Sequence, residues 1–186
     1  MSDFKILGIS GSLRRGSHNT AALRAAAELA PEGVVVTLFE GLRDIPPYDD
    51  DLRAGQGYPA AVEAFRHAVR EADALLIATP EYNYSIPGVL KNAIDWASRP
   101  PEQPFNEKPI AIMGASQGLL GTARAQYDLR KMCVFLNAHP LNKPEVFIAQ
   151  SGAKVDSEGR LTDEATRGFI AQQLVALRDW SRRLKG

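Results

Sequence analysis

Two periodicities alternate along the chain. Short apolar or β-branched runs at Phe4–Ser10, Val34–Phe39, Ala74–Ala78, 110–113 and 145–148 have the length and composition of strands. Between them apolar residues fall three and four apart, over about 19–30, 59–71 (Val62, Phe65, Val69), 89–98 and 121–136. Pro31-Glu32-Gly33 ends the first of these helices, and Leu174, Leu177 and Trp180 stripe a closing one. A run such as Ala74–Ala78, with no polar interruption, suits a strand covered on both faces. Five strands alternating with helices predict a doubly wound parallel α/β sheet in three layers. Segments 41–58 and 99–109 are polar and proline-bearing and read as loops, with Asp49-Asp50-Asp51 a solvated part of the first. No repeat, low-complexity tract or long linker divides the chain, so residues 1–186 are expected to form one domain.

Composition narrows the class. With 45% hydrophobic and 24% charged residues the chain has an ordinary globular balance. Lys+Arg and Asp+Glu are both 22, so no strong field draws it to nucleic acid or an anionic membrane. No stretch approaches the ~20 apolar residues of a membrane span, nor does the N-terminus carry a signal-type run. A single cysteine cannot close an intramolecular disulfide, which points to a reducing, cytoplasmic setting. Cys133 has apolar neighbours and no cationic cluster to activate it, which makes it an inert core residue and excludes a cysteine phosphatase. His67 and His139 are isolated, no zinc spacing occurs, and no metal site is expected.

Candidate chemistry concentrates in three loops that follow the first, third and fourth strands. Ser10 leads into Gly11-Ser12-Leu13-Arg14-Arg15-Gly16-Ser17-His18-Asn19-Thr20, small residues and hydroxyls that open a helix. Backbone N–H groups and the positive end of the helix dipole make such a turn an anion pocket. It lacks both the Gly-x-Gly-x-x-Gly dinucleotide spacing and the Gly-Lys-Ser/Thr ending of a nucleoside-triphosphate loop. What remains is a hydroxyl cradle for a phosphomonoester, with Ser17 or Asn19 as helix cap. Gly11 and Gly16 suit backbone close to a ligand or at positive φ. Pro80-Glu81-Tyr82-Asn83-Tyr84 follows the third strand and Ser116-Gln117-Gly118 the fourth. In a doubly wound sheet these loops meet where the winding reverses.

The first loop resembles the phosphate loop of the NADPH-dependent FMN reductases, which are flavodoxin-like. Pro80-Glu81-Tyr82-Asn83-Tyr84-Ser85-Ile86-Pro87-Gly88, running into Leu90-Lys91-Asn92-Ala93-Ile94-Asp95-Trp96, resembles that family's second signature. The similarity extends over nearly the whole chain and is greatest to the branch that reduces quinones and chromate. It implies strand order 2-1-3-4-5 and non-covalent FMN. The phosphate would lie on Ser10, Ser12, Leu13, Arg14, Gly16, Ser17, Asn19 and Thr20. The ring would lie against Pro80, Glu81, Tyr82, Asn83, Tyr84, Ser116, Gln117 and Gly118, largely on backbone atoms. Arg14 would pair with the phosphate or meet an incoming nucleotide, and His18 would pack beside the cofactor. NADPH or NADH would deliver hydride to the flavin, and a small oxidised acceptor such as a quinone, chromate, an azo compound or free flavin would take two electrons. No side chain is obliged to act as acid or base in that step, so no catalytic residue is named.

A non-enzymatic electron carrier of flavodoxin type is the alternative. Against it stand the balanced charge and the Leu13-Arg14-Arg15 insertion. A receiver domain of the same strand order needs an Asp ending the third strand, where Ala78-Thr79-Pro80 stands. The apolar residues Val89, Leu90, Ile94, Trp96, Tyr127, Leu129, Met132, Val134, Phe135 and Leu136 exceed what one stripe per helix needs. They fit a thick core or burial against another chain. The resemblance, whose members form dimers or dimers of dimers, points to a homodimer or homotetramer with the site near the boundary.

Overall fold

A computed structural model describes residues 3–186. Six strands run parallel: β1 (Phe4–Ser10), β2 (Val34–Phe39), β3 (Ala74–Ala78), β4 (Pro109–Ala115), β5 (His139–Pro140) and β6 (Val146–Ile148). Their order is β2-β1-β3-β4-β5, with β6 also on β4. The fifth strand predicted at 145–148 is β6, and β5 is an additional two-residue piece on the same side of β4. β5 pairs with Pro109 and Ile110 at the start of β4, and β6 with Met113, Gly114 and Ala115 at its end. Pro144 stands in the segment between, and proline cannot donate to a ladder.

Helices cover both faces. α1 (His18–Glu28) and α6 (Glu164–Lys185) bury Ala22, Leu23, Ile170, Leu174 and Leu177 against Ile6, Leu76 and Met113. On the other face α3 (Ala60–Glu71), α4 (Gly88–Ala97) and α5 (Ala123–Phe135) meet Leu7, Ile9, Leu75, Ile77 and Ile112. β3 is buried at every residue, because alternate side chains serve opposite layers. Trp96 and Phe65 are fully buried, each contributing about 1.5–3 kcal/mol through area removed from water.

Two expectations need correction here. Asp49-Asp50-Asp51 is not open loop: Asp49 caps a short helix, α2 (Asp50–Gln56), accepting from Asp51 N–H at 2.9 Å and Leu52 N–H at 3.3 Å. α2 buries none of its residues, so it left no apolar period to read. The apolar excess also divides. Leu90, Ile94, Trp96, Leu129 and Leu136 belong to this chain's own core, whereas Tyr127, Val134 and Phe135 are exposed.

Candidate functional site

The loop after β1 is pinned at both ends. Gly11 N–H donates to Ala78 O at 2.8 Å. A Cβ on Gly11 would stand 3.2 Å from Pro80 Cδ and 3.3 Å from Thr79 Oγ1, so glycine lets the first and third loops touch. Neither Gly11 nor Gly16 is at positive φ, so close approach, not turn geometry, explains the first. Ser17 is the α1 cap, accepting from Thr20 N–H at 3.3 Å. Among the described residues, the N–H groups of His18 and Asn19 have no protein acceptor and remain the donors of this helix end.

Asn19 does something else. Its Nδ2 donates to Ala115 O at 3.0 Å and its Oδ1 accepts from Ala115 N–H at 2.8 Å. β3 stops pairing with β4 at Ala78 and Met113, with one further bond from Thr79 N–H to Met113 O at 3.0 Å. The carboxamide continues the ladder where the strand has ended, and it fixes α1 to the fourth strand.

After β3 the chain makes a two-residue hairpin. Tyr82 and Ser85 exchange N–H to carbonyl bonds of 3.0 Å, with Asn83 at φ 51° and Tyr84 at φ 70° between them. Left-handed backbone at two residues other than glycine costs about 1–2 kcal/mol each and must be held from outside. Glu81 holds it. Its carboxylate accepts from Arg124 N–H at 3.1 Å and Ala125 N–H at 3.2 Å, pairs with the Arg124 guanidinium, and is only 7% exposed. Thr122, at the start of α5, gives no side-chain cap, so Glu81 caps that helix from 43 residues away. The Arg124 guanidinium also lies 3.6 Å over the Tyr84 ring.

The loop after β4 is tied to the turn Ser151–Ala153. Ser151 N–H donates to Ser116 O at 3.0 Å and Gly152 N–H to Gln117 Oε1 at 3.1 Å. His18 closes the ring of loops, its Nδ1 lying 2.8 Å from Ser151 Oγ. Burial, then the nearby Arg14 charge, holds the His18 imidazole below its ordinary pKa.

These loops enclose a crevice of about 240 Å³. Ser12, Arg14, Ser17, Asn19, Pro80, Glu81, Tyr82, Ser116 and Gln117 line it, together with His18, Ala115 and Ser151. The three loops meet at this crevice as expected, although not every residue named from the sequence lines it. Ser10, Leu13 and Thr20 face a separate cleft on the β2 side, where Ser10 Oγ and Thr20 Oγ1 lie 2.9 Å apart. Gly16 backs the loop, and Asn83, Tyr84 and Gly118 stand outside the crevice. Ser151 was missed altogether, since a lone serine after the last strand carries no local signal. Glu81 is the one carboxylate on the lining, and its charge is answered by Arg124 and the α5 terminus. Among the described residues, no group of three or more His, Cys, Asp or Glu could hold a metal ion.

A parallel α/β sheet in the order β2-β1-β3-β4-β5, with a crevice between the loops at its switch point, defines a flavodoxin-like protein. Its relatives agree. Residues 4–153 match the NADPH-dependent FMN reductase family, and the chain belongs to that family. It is 60% identical over 184 residues to a Pseudomonas aeruginosa protein named NAD(P)H-dependent FMN reductase, covering 99% of this chain and 98% of the relative. It is 43% identical over 182 residues, 97% of each chain, to a protein of Escherichia coli K12 named quinone reductase. Among solved structures it resembles FerB, a flavoenzyme NAD(P)H:(acceptor) oxidoreductase from Paracoccus denitrificans. The TM-score is 0.85 at 34% identity, with 96% of this chain and 97% of that one covered.

Proposed function

We propose that residues 1–186 act as one domain, an FMN-dependent reductase that moves two electrons from NAD(P)H to quinone-like acceptors. The observation that carries this reading is the donor set of the crevice. Ser12, Ser17, His18, Asn19 and Arg14 all line it, bringing hydroxyls, the free N–H groups of His18 and Asn19, and a guanidinium from one loop. The only lining carboxylate is neutralised. That arrangement fits the dianionic phosphate of FMN. Pro80 and Tyr82 supply apolar cover for the ring, and Ser116 and Gln117 polar partners for its edge. Ser10, Leu13, Gly16, Thr20, Asn83, Tyr84 and Gly118 shape the surrounding loops. When bound, FMN supplies the redox chemistry, two-electron transfer from nucleotide to acceptor. The protein holds the phosphate, orients the ring and keeps the His18 imidazole fixed to Ser151 beside it.

Quinone reductases among the relatives at 43% identity support a quinone acceptor and an enzyme rather than an electron carrier. Chromate, azo compounds and free flavin are acceptors to compare with it. Mass spectrometry of released cofactor, followed by steady-state assays with a soluble quinone, tests the reading. FMN and parallel initial-rate lines at several fixed acceptor concentrations are expected, because a single crevice serves both substrates in turn. FAD, no flavin after reconstitution, or turnover only with a partner protein would refute it.

A homo-oligomer, dimer or tetramer, completes the proposal. Tyr84, Leu119, Leu120, Tyr127, Val134 and Phe135 are all more than half exposed, Val134 reaching 84%. They run from the rim of the crevice along α5, and an apolar face of this kind is seldom left to water. Burying it against a second copy would set the site near the subunit boundary. Light scattering after size exclusion checks this, and an active monomer would overturn it. Among the described residues no helix is long and apolar enough to cross a membrane. The single free cysteine fits a cytoplasmic location.

A further inference from the structure

We propose that the cleft on the β2 side of the phosphate loop binds the 2′-phosphate of NADPH and gives the protein a preference for that nucleotide. This rests on the NAD(P)H reading above. The cleft has a volume of about 330 Å³ and opens between the loop after β1 and the end of β2. Phe39 and neighbouring leucines form an apolar floor, while Arg14, Arg15, Arg24 and Arg43 stand around it. Glu40 is the one acidic residue there.

Charge is unevenly placed here. Eight of the fifteen arginines pair with a carboxylate, and four of the seven that do not are these four, among the described residues. The chain as a whole has a net charge of zero, so the concentration is local. With Arg14 also reaching the FMN phosphate, Arg15, Arg24 and Arg43 are left around a concave wall without a carboxylate partner and repel one another, and a bound dianion relieves that repulsion through forked N–H contacts. A purine ring suits the rest of the cleft, with Phe39 below and guanidinium planes beside it. This cleft and the crevice share Ser12 and Arg14. A nucleotide with its nicotinamide in the crevice therefore crosses one loop to set its adenosine end in the cleft. Arg43 helps form that bridge, donating from Nη2 to Leu13 O at 2.7 Å.

Calorimetric titration of the protein as purified with adenosine 2′,5′-bisphosphate, AMP and inorganic phosphate tests the assignment. Wild type should bind the bisphosphate at least tenfold more tightly than AMP or phosphate. The double variant Arg15→Gln/Arg24→Gln should lose about 10- to 100-fold of that affinity, the loss of one or two hydrogen bonds to a charged group. Its kcat/KM for NADPH should fall by the same factor, with NADH turnover and FMN affinity unchanged. Glu40→Gln should tighten the bisphosphate. Equal binding of bisphosphate and AMP, competition by phosphate at equal concentration, or equal loss of NADPH and NADH turnover would each overturn the proposal. A protein without flavin or NAD(P)H turnover would instead refute the reductase reading, while a bisphosphate preference removed by the double variant would still place an anion site in the cleft.

Discussion

Replacing Asn19 with alanine should destabilise the protein before any cofactor is added. The carboxamide makes two bonds, of 3.0 and 2.8 Å, to the O and N–H of Ala115, and both residues are buried. Alanine leaves one carbonyl and one N–H without partners at the end of β4, each about 1–3 kcal/mol of unpaired polar group. Water entering from the crevice recovers part of that, so the net loss should be about 2–4 kcal/mol. For a chain of this length such a loss lowers Tm by about 5–15 °C. Thermal unfolding of the apoprotein measures it, and a fluorescence titration with FMN follows the consequence for the site. FMN affinity should fall as well, because the helix end that carries the His18 and Asn19 donors is no longer fixed to β4. Asn19→Asp should not rescue, since it places a carboxylate oxygen against Ala115 O. Ser12→Ala is the control: it should weaken FMN and leave apoprotein Tm within about 1 °C. If Asn19→Ala left apoprotein Tm unchanged and weakened only FMN, Asn19 would be a direct ligand and its scaffold role would be wrong.

Three further outcomes follow from the geometry. Gly114→Ala would put a Cβ 1.9 Å from Thr122 Oγ1 and 2.4 Å from Thr79 O, so a loss of about 3 kcal/mol or more is expected, and a wild-type melting curve would refute it. His18 should titrate below its ordinary 6.5 by NMR. The unfolded state then binds more protons, so this contribution to stability is present above pH 6.5 and disappears as pH falls through the folded value; a higher midpoint would reverse the sign. Cys133 is buried, with its thiol pushed up to about 11, so a disulfide reagent should label it only on unfolding, and rapid labelling of the native protein would contradict its placement.

The strands and the site-bearing loops were legible because their signals are local. Apolar runs of five to seven residues, such as Ala74–Ala78 and Phe4–Ser10, are read within their own windows. α2 escaped because a helix that buries nothing shows no period, although Asp49 before Asp50 and Asp51 is the sort of residue that caps one. The cleft on the β2 side escaped because Arg24 and Arg43 are separated in sequence and look like ordinary solvated arginines.

Order and spacing along the chain determined the doubly wound sheet, the hydroxyl loop at a helix start and the loop after the third strand. Each depends on how neighbouring residues share backbone geometry and apolar period. Tertiary structure alone decided what the side chains in those loops do. Ser17 caps α1, while Asn19, a suitable cap by type, reaches Ala115 across 96 positions. Glu81 neutralises itself on a helix 43 residues away. The apolar excess on α4 and α5 split into a core with Trp96 and a free face with Val134, because the sheet covers only one side of each helix. A polar side chain takes whichever partner folding brings within hydrogen-bond reach, and that partner is set by the packing of distant elements, not by the residues beside it.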